Sequence, residues 1–190
     1  MSRGVLVVLA GTSGAGKGTL GRRLRDLDPD LRWSVSWTSR PARPDEVPGI
    51  DYHFRTREEF EALRDAGGFL ESFEVYGDLK GTPRAYDVDE LAAGHDVLLE
   101  IDVQGALSVR DQIPDALLVF VRAPSPEEQR RRLEARGADD PEAIERRLAE
   151  GAAEEQIARE RFDAIVVNDD VDRAAAELAA IVKGRRSGER

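Results

Sequence analysis

Cysteine is absent from the 190-residue sequence, which excludes disulfide cross-links, thiolate nucleophiles and zinc–thiolate sites. Histidine occurs only at His53 and His95, so neither a histidine metal centre nor a Ser-His-Asp triad is expected. No apolar run approaches the ~20 residues that a membrane-spanning helix needs. Val5–Ala10 behind Arg3 is shorter than the apolar segment of a signal peptide and leads straight into a glycine loop, so a cytoplasmic location is expected. Positive charge is in deficit: 28 Lys and Arg stand against 38 Asp and Glu, a net charge of −10. Nucleic acid and membrane surfaces are therefore not expected as partners. What remains, 41% hydrophobic and 35% charged residues, is the composition of one globular domain.

The arginines are nevertheless clustered, at Arg40/Arg43, Arg130–Arg132/Arg136 and Arg146/Arg147. Local arginine clusters on an acidic chain suit a small polyanion. Arg130–Arg132 are read instead as a solvated helix face.

Val5–Ala10, Val97–Ile101, Leu117–Val121 and Ala164–Val167 are short continuous apolar runs, the signature of buried parallel strands. Lys17–Leu27 reads as a helix with Leu20, Leu24 and Leu27 on one face. Ser125-Pro126-Glu127-Glu128 and Asp140-Pro141 are helix starts, the first a capping box with proline at N1. Alternating strands and helices predict an α/β fold, a parallel sheet covered on both faces. Residues 34–86 break the alternation. Strand-like pieces at Ser34–Thr38, Tyr52–Phe54, Phe69–Leu70 and Phe73–Tyr76 surround a helix capped by Thr56 and Glu59, with Phe60 and Leu63 on its apolar face. This predicts a mixed, mostly antiparallel insertion at the carboxyl edge of the sheet, where open α/β sheets bind ligands. Trp33, Trp37, Phe69, Phe73 and Tyr76 are read as packing. The tail Lys183–Arg190 is polar and expected to fray.

The run Gly11-Thr12-Ser13-Gly14-Ala15-Gly16-Lys17-Gly18-Thr19 follows a predicted strand and opens a predicted helix, the setting that identifies a P-loop. Its backbone N–H groups converge on phosphate oxygens, the helix N-terminus adds partial positive charge, and Lys17 adds a point charge. The residue after Lys17 is Gly18 rather than Ser or Thr, so the usual magnesium hydroxyl is missing. Thr19 is the nearest substitute, directly or through water, with Mg2+ held mainly by ATP phosphates. Gly18-Thr19 resembles the variant common among nucleotide kinases.

Two arrays bear on what receives the phosphate. Ser36-x-Thr38-Ser39-Arg40-x-x-Arg43-x-x-Glu46-x-x-Gly49-x-x-Tyr52 gathers two arginines, hydroxyls and a tyrosine, chemistry suited to a phosphate monoester. An ion pair from Glu46 to Arg40 or Arg43 in a surface loop is the plainer reading. Phe69-Leu70-Glu71 and Glu100-Ile101-Asp102 place carboxylates at strand ends. Carboxylates only accept hydrogen bonds, whereas guanine's N1–H and N2 amine only donate them, so paired acids favour guanine over adenine. The same acids also suit magnesium.

Over nearly its whole length the sequence resembles the guanylate kinase family: the P-loop, the S-x-T-x-R-x-x-R-x-x-E-x-x-G-x-x-Y array, "FLE", "GTP", "LEIDVQGA" and "VVNDD". The resemblance implies a P-loop core over 1–33, 87–135 and 148–190, a GMP-binding insertion over 34–86 and a lid over 136–147. It implies the reaction of ATP with GMP or dGMP. By position, Arg40, Arg43 and Tyr52 hold the GMP phosphate with Ser36 nearby, while Glu46 orients the arginines. Glu71, Thr82 and Asp102 read guanine. Arg136 and Arg147 match lid arginines, and Asn168 and Asp169 match the region near adenine. Lys80 stands where the family usually has a tyrosine that contacts the GMP phosphate. The proline of Arg40-Pro41-Ala42-Arg43 is shifted by one place, and Thr12 replaces a common proline, a change expected to matter little.

The acceptor is already an ionised phosphate, so no general base is needed, and catalysis is expected from positioning and electrostatics by Lys17, Arg40, Arg136 and Arg147. Gly137 suits either a lid hinge or a helix C-cap. Two other readings stay open: a kinase of the same fold acting on a ribose bisphosphate, and a non-catalytic binding module. Oligomeric state is not legible.

Overall fold

The computed structural model describes residues 3–43, 46–75, 77–137 and 140–188. A five-stranded sheet forms the core, from β1 (Leu6–Gly11), β2 (Arg32–Trp33), β7 (Val97–Glu100), β8 (Leu117–Arg122) and β9 (Ala164–Val167), in the order β2-β7-β1-β8-β9. Every pairing is parallel. A strand buried on both faces must be apolar at every position, which is why β1 reads as an unbroken run. Leu6, Val8 and Ala10 face one side, with α4 (Val103–Gln112) and α6 (Pro141–Arg161); Val7 and Leu9 face the other, with α1 (Lys17–Leu27) and α7 (Val171–Arg186). Burying each leucine here contributes roughly 1.5–3 kcal/mol.

A second sheet, ordered β4-β3-β6-β5, comprises β3 (Trp37–Thr38), β4 (His53–Phe54), β5 (Phe69–Val75) and β6 (Asp78–Pro83). Its pairings are mixed, β3 and β4 parallel and the rest antiparallel. On one face Phe69, Leu79 and Trp37 pack against Phe60 and Leu63 of α2 (Arg57–Asp65). The reciprocal capping box of Thr56 and Glu59 starts that helix. The period of two then turns Lys80 and Thr82 to the opposite face. α3 (Arg84–Ala92) returns the chain to β7, and α5 (Pro126–Arg136) precedes α6.

Several expectations need correcting. Arg32–Trp33 is a strand of the core sheet, too short to show a pattern. Phe69–Leu70 and the next piece form one strand, interrupted only by a bulge between Phe69 and Glu71; Tyr76 lies outside the described residues. β6 contains Gly81 and Pro83, poor strand formers, yet β3 and β5 pair with it on either side. The boundary set at residue 86 falls inside α3. Ser125 accepts from the Glu128 N–H at 3.2 Å, but the Glu128 carboxylate turns to Arg131 and Arg132, leaving the box half formed. The tail does not fray at Lys183: α7 continues to Arg186, with Val182 buried and Arg186 paired to Asp28 and Asp96. Glu189 and Arg190 lie outside the described residues. Among the described residues no helix is long and apolar enough to cross a membrane.

Candidate active site

Gly16 sits at φ 84° as the N-cap of α1, a left-handed conformation that glycine adopts without strain. This turns the chain from β1 into the helix and leaves the loop's N–H groups at the carboxyl edge of the sheet. Lys17 folds back over the loop, its Nζ donating to the carbonyls of Gly11 at 2.7 Å and Thr12 at 3.3 Å. Burial lowers its pKa, and the nearby carboxylates of Glu100 and Glu154 oppose the shift. Glu154, on α6, is pushed up to about 6, chiefly by burial.

The carboxyl end of β7 lies against the loop. A Cβ on Gly18 would stand 3.2 Å from Glu100 Oε2, so the carboxylate reaches the space that a hydroxyl-bearing residue would have entered. Thr19 is exposed on α1. Beyond Glu100, Asp102 caps α4 by accepting from the Gly105 N–H at 2.7 Å.

A cavity of about 600 Å3 opens between the two sheets, lined by Lys17, Arg40, Arg43, Tyr52, Lys80 and Asp102 among others. Arg40 is held by a carboxylate and a ring. Its guanidinium grips the Glu46 carboxylate with both terminal nitrogens and lies 5.2 Å from the centre of the Tyr52 ring. Glu46 also accepts from the Arg43 backbone N–H at 2.9 Å. The Arg40 hydrogen bonds are the main cause of its pKa falling to about 2. The ion-pair reading and the orienting reading thus describe one arrangement. Pro44 and Asp45 lie outside the described residues. Lys80 Nζ stands 5.0 Å from the Tyr52 ring centre.

Glu71 and Thr82 are cross-strand partners, both buried, and the Thr82 hydroxyl donates to Glu71 Oε1. Burial pushes the Glu71 carboxyl up to about 7, against the Thr82 hydrogen bond, and Asp102 adds like-charge repulsion. Ser36 is not in the large cavity. It lines a neighbouring one of about 280 Å3, which shares Tyr52, Lys80 and Glu100.

The helices after β8 meet the loop from the other side. Arg147 Nη1 donates to Ser13 Oγ at 3.0 Å, and Arg136, exposed, is close enough to lower the Lys17 pKa. Gly137 caps α5 at φ 64°; Ala138 and Asp139 of the expected lid lie outside the described residues. Asn168 is buried with its Nδ2 on the Ala15 carbonyl at 2.8 Å, while Asp169 is exposed and paired with Arg173. Arg132 corrects the reading of residues 130–132 as a solvated face. It is half-buried, and it donates to the carbonyls of Asn168 at 2.9 Å and Ala15 at 3.4 Å. No sequence signal separates it from Arg130 and Arg131, which pair with carboxylates in solvent. Thr12, expected to matter little, is buried with no partner for its Oγ1.

The sequence model of the family described as guanylate kinase matches residues 3–185. The chain belongs to the guanylate kinase family. It is 53% identical over 184 residues to a guanylate kinase of Rubrobacter xylanophilus, covering 96% of this chain and 95% of that one. It is 51% identical over 187 residues to a guanylate kinase of Symbiobacterium thermophilum, covering 97% and 87%. The crystal structure of guanylate kinase from Anaplasma phagocytophilum superposes with a TM-score of 0.78 at 33% identity, covering 96% and 86%. Membership of this family makes the chain a kinase, with a nucleotide donor and a nucleoside monophosphate acceptor to be matched to the two sides of the cavity.

Proposed function

We infer that the protein transfers the γ-phosphoryl group of ATP to GMP or dGMP, giving ADP and GDP. The observation that carries this is one cavity with two kinds of wall. Lys17 of the P-loop lines one side. On the other stand Arg40, Arg43, Tyr52, Lys80 and Asp102, with the buried Glu71–Thr82 pair on the β5–β6 ladder that carries Lys80.

Each part has a separate task. The P-loop N–H groups and Lys17 hold the ATP phosphates, with Asn168 and Asp169 on the adenine side. Arg40 and Arg43 take the GMP phosphate, and Glu46 keeps the Arg40 fork in place before substrate arrives. Lys80 adds a flexible point charge in place of an aromatic hydroxyl. Glu71 and Asp102 accept from guanine's donors, and Thr82 supplies the remaining polar contact. No proton has to be removed from the acceptor, because a phosphate oxygen attacks directly. The chain's work is to bring two polyanions together and neutralise the migrating group. Arg136 and Arg147, carried by the 136–147 lid, complete the positive shell and exclude water.

The carboxylate beside Gly18 suits Mg2+: Glu100 offers hard oxygen ligands next to the phosphate seat. Bound there with ATP, directly or through water, the ion would neutralise phosphate charge. We place the enzyme in the cytoplasm, in purine nucleotide metabolism.

ADP formation from Mg-ATP with GMP, AMP, CMP or UMP tests the reading. Turnover with GMP alone is expected. Turnover with none of the four, or equal turnover with AMP, overturns it.

A further inference from the structure

A trans peptide holds its N–H antiparallel to the preceding C=O. Anchoring a carbonyl on the outside of a phosphate loop therefore aims the next residue's N–H inward. Gly11 O and Thr12 O accept from Lys17, within the loop itself. Two other carbonyls are anchored by elements outside it. Ala15 O accepts from Asn168. The Ser13 carbonyl is held by a side chain 116 residues away: Gln129 Nε2, on α5, donates to it at 2.9 Å.

Gln129 is a polar residue at a core position, 8% exposed, and it has little freedom to turn away. A Cβ on Gly151 of α6 would lie 3.0 Å from Gln129 Nε2 and 3.0 Å from Thr12 Cγ2. The amide is thus packed between the loop and α6, where only its donor end can meet a carbonyl. The next residue, Gly14, has φ 84°, so no side-chain preference of its own holds the Ser13–Gly14 peptide in place.

We propose that Gln129 is a positioning residue for the phosphate cradle: by donating to the Ser13 carbonyl it aims the Gly14 N–H at the nucleotide phosphates. The proposal rests on the reading of this loop as the donor-nucleotide seat. It links the loop's shape to α5, the helix that ends at Arg136, so the seat and the start of the lid are set by one element.

The test is calorimetric titration of the full chain with Mg-ADP, alongside steady-state kinetics. Gln129→Leu leaves the carbonyl without its donor in a buried site, and ADP affinity is expected to fall roughly tenfold, with the KM for GMP unchanged. Gln129→Glu is the sharper variant. As a carboxylate it opposes the Ser13 carbonyl, and as a neutral acid it donates again. Its affinity relative to the parent at the same pH is expected to recover as pH falls from 8.5 to 5.5, on the order of tenfold. A structural filler would give no such recovery. Parental affinity in Gln129→Leu overturns the proposal, as does a pH-independent ratio in Gln129→Glu, which decides the matter if the leucine variant does not fold. A parent chain that binds no ADP also overturns it. A parent that binds ADP with the expected variant effects but does not phosphorylate GMP supports the proposal and overturns the proposed function instead.

Discussion

Thr82 donates its hydroxyl hydrogen to Glu71 across the β5–β6 ladder, and both side chains are buried. The carboxylate is thereby aimed by a neighbour but only partly charge-stabilised, because burial raises its pKa to about 7. To accept from guanine, Glu71 must be ionised. GMP affinity is expected to be highest above pH 7 and to fall as pH drops through 7 toward 5, approaching tenfold per unit. Glu71→Gln removes this component. The KM for GMP measured against pH in both proteins, with the KM for ATP as control, checks it.

The Arg40–Glu46 pair predicts no pH dependence of its own near neutrality. Glu46, held at about 2, stays ionised across pH 5–8 and contributes no pH dependence there. Glu46→Gln frees the Arg40 fork, and the KM for GMP is expected to rise about tenfold, the scale of one charge-assisted hydrogen bond. Thermal stability should change little, since the pair lies in the loop and not in a core. An unchanged KM for GMP would remove Glu46 from the site.

Lys80 is expected to matter to GMP alone. Lys80→Ala should raise the KM for GMP about tenfold while leaving that for ATP unchanged, and Lys80→Tyr should restore most of the loss. If alanine leaves the KM for GMP as it was, the side chain is a bystander over the Tyr52 ring.

Asp87 offers a stability prediction away from the chemistry. It is fully buried, accepts from Ser34 Oγ at 2.9 Å and has no partner for Oδ1. Burial raises its pKa to about 7. A carboxyl with a raised folded pKa favours the native state when protonated. Its contribution is therefore full below about pH 4 and is lost as pH rises to about 7, at a cost of a few kcal/mol. Melting temperatures of the parent and Asp87→Asn from pH 5 to pH 8 should diverge as pH rises, with the variant the more stable at pH 8.

Lys17→Ala removes the point charge from the phosphate seat. A loss of about 10³-fold or more in kcat/KM is expected, with folding intact, because among the described residues the ammonium's hydrogen bonds go to loop carbonyls. Circular dichroism and turnover together check it.

Much of this fold is legible in the chain because period and punctuation suffice for it. Continuous apolar runs mark β1, β8 and β9, and Thr56, Ser125 and Asp140 mark helix starts through side-chain oxygens that accept from the backbone. These are local effects, and the residues that cause them are neighbours in sequence. The P-loop and the arginine array are local for the same reason.

The parts that could not be read depend on separation in sequence. β2 and β6 are strands only because β7, β3 and β5 pair with them. Arg132 differs from Arg130 and Arg131 only in where α5 docks, and Gln129 meets Ser13 across 116 residues. The sequence by itself determined the phosphate loop, the alternation of strands and helices, and the acids and arginines available to a purine monophosphate. Tertiary structure decided which of those side chains face one cavity, and which hold the loop's carbonyls. Hydrogen bonds and burial depend on through-space distance, which a local pattern does not contain.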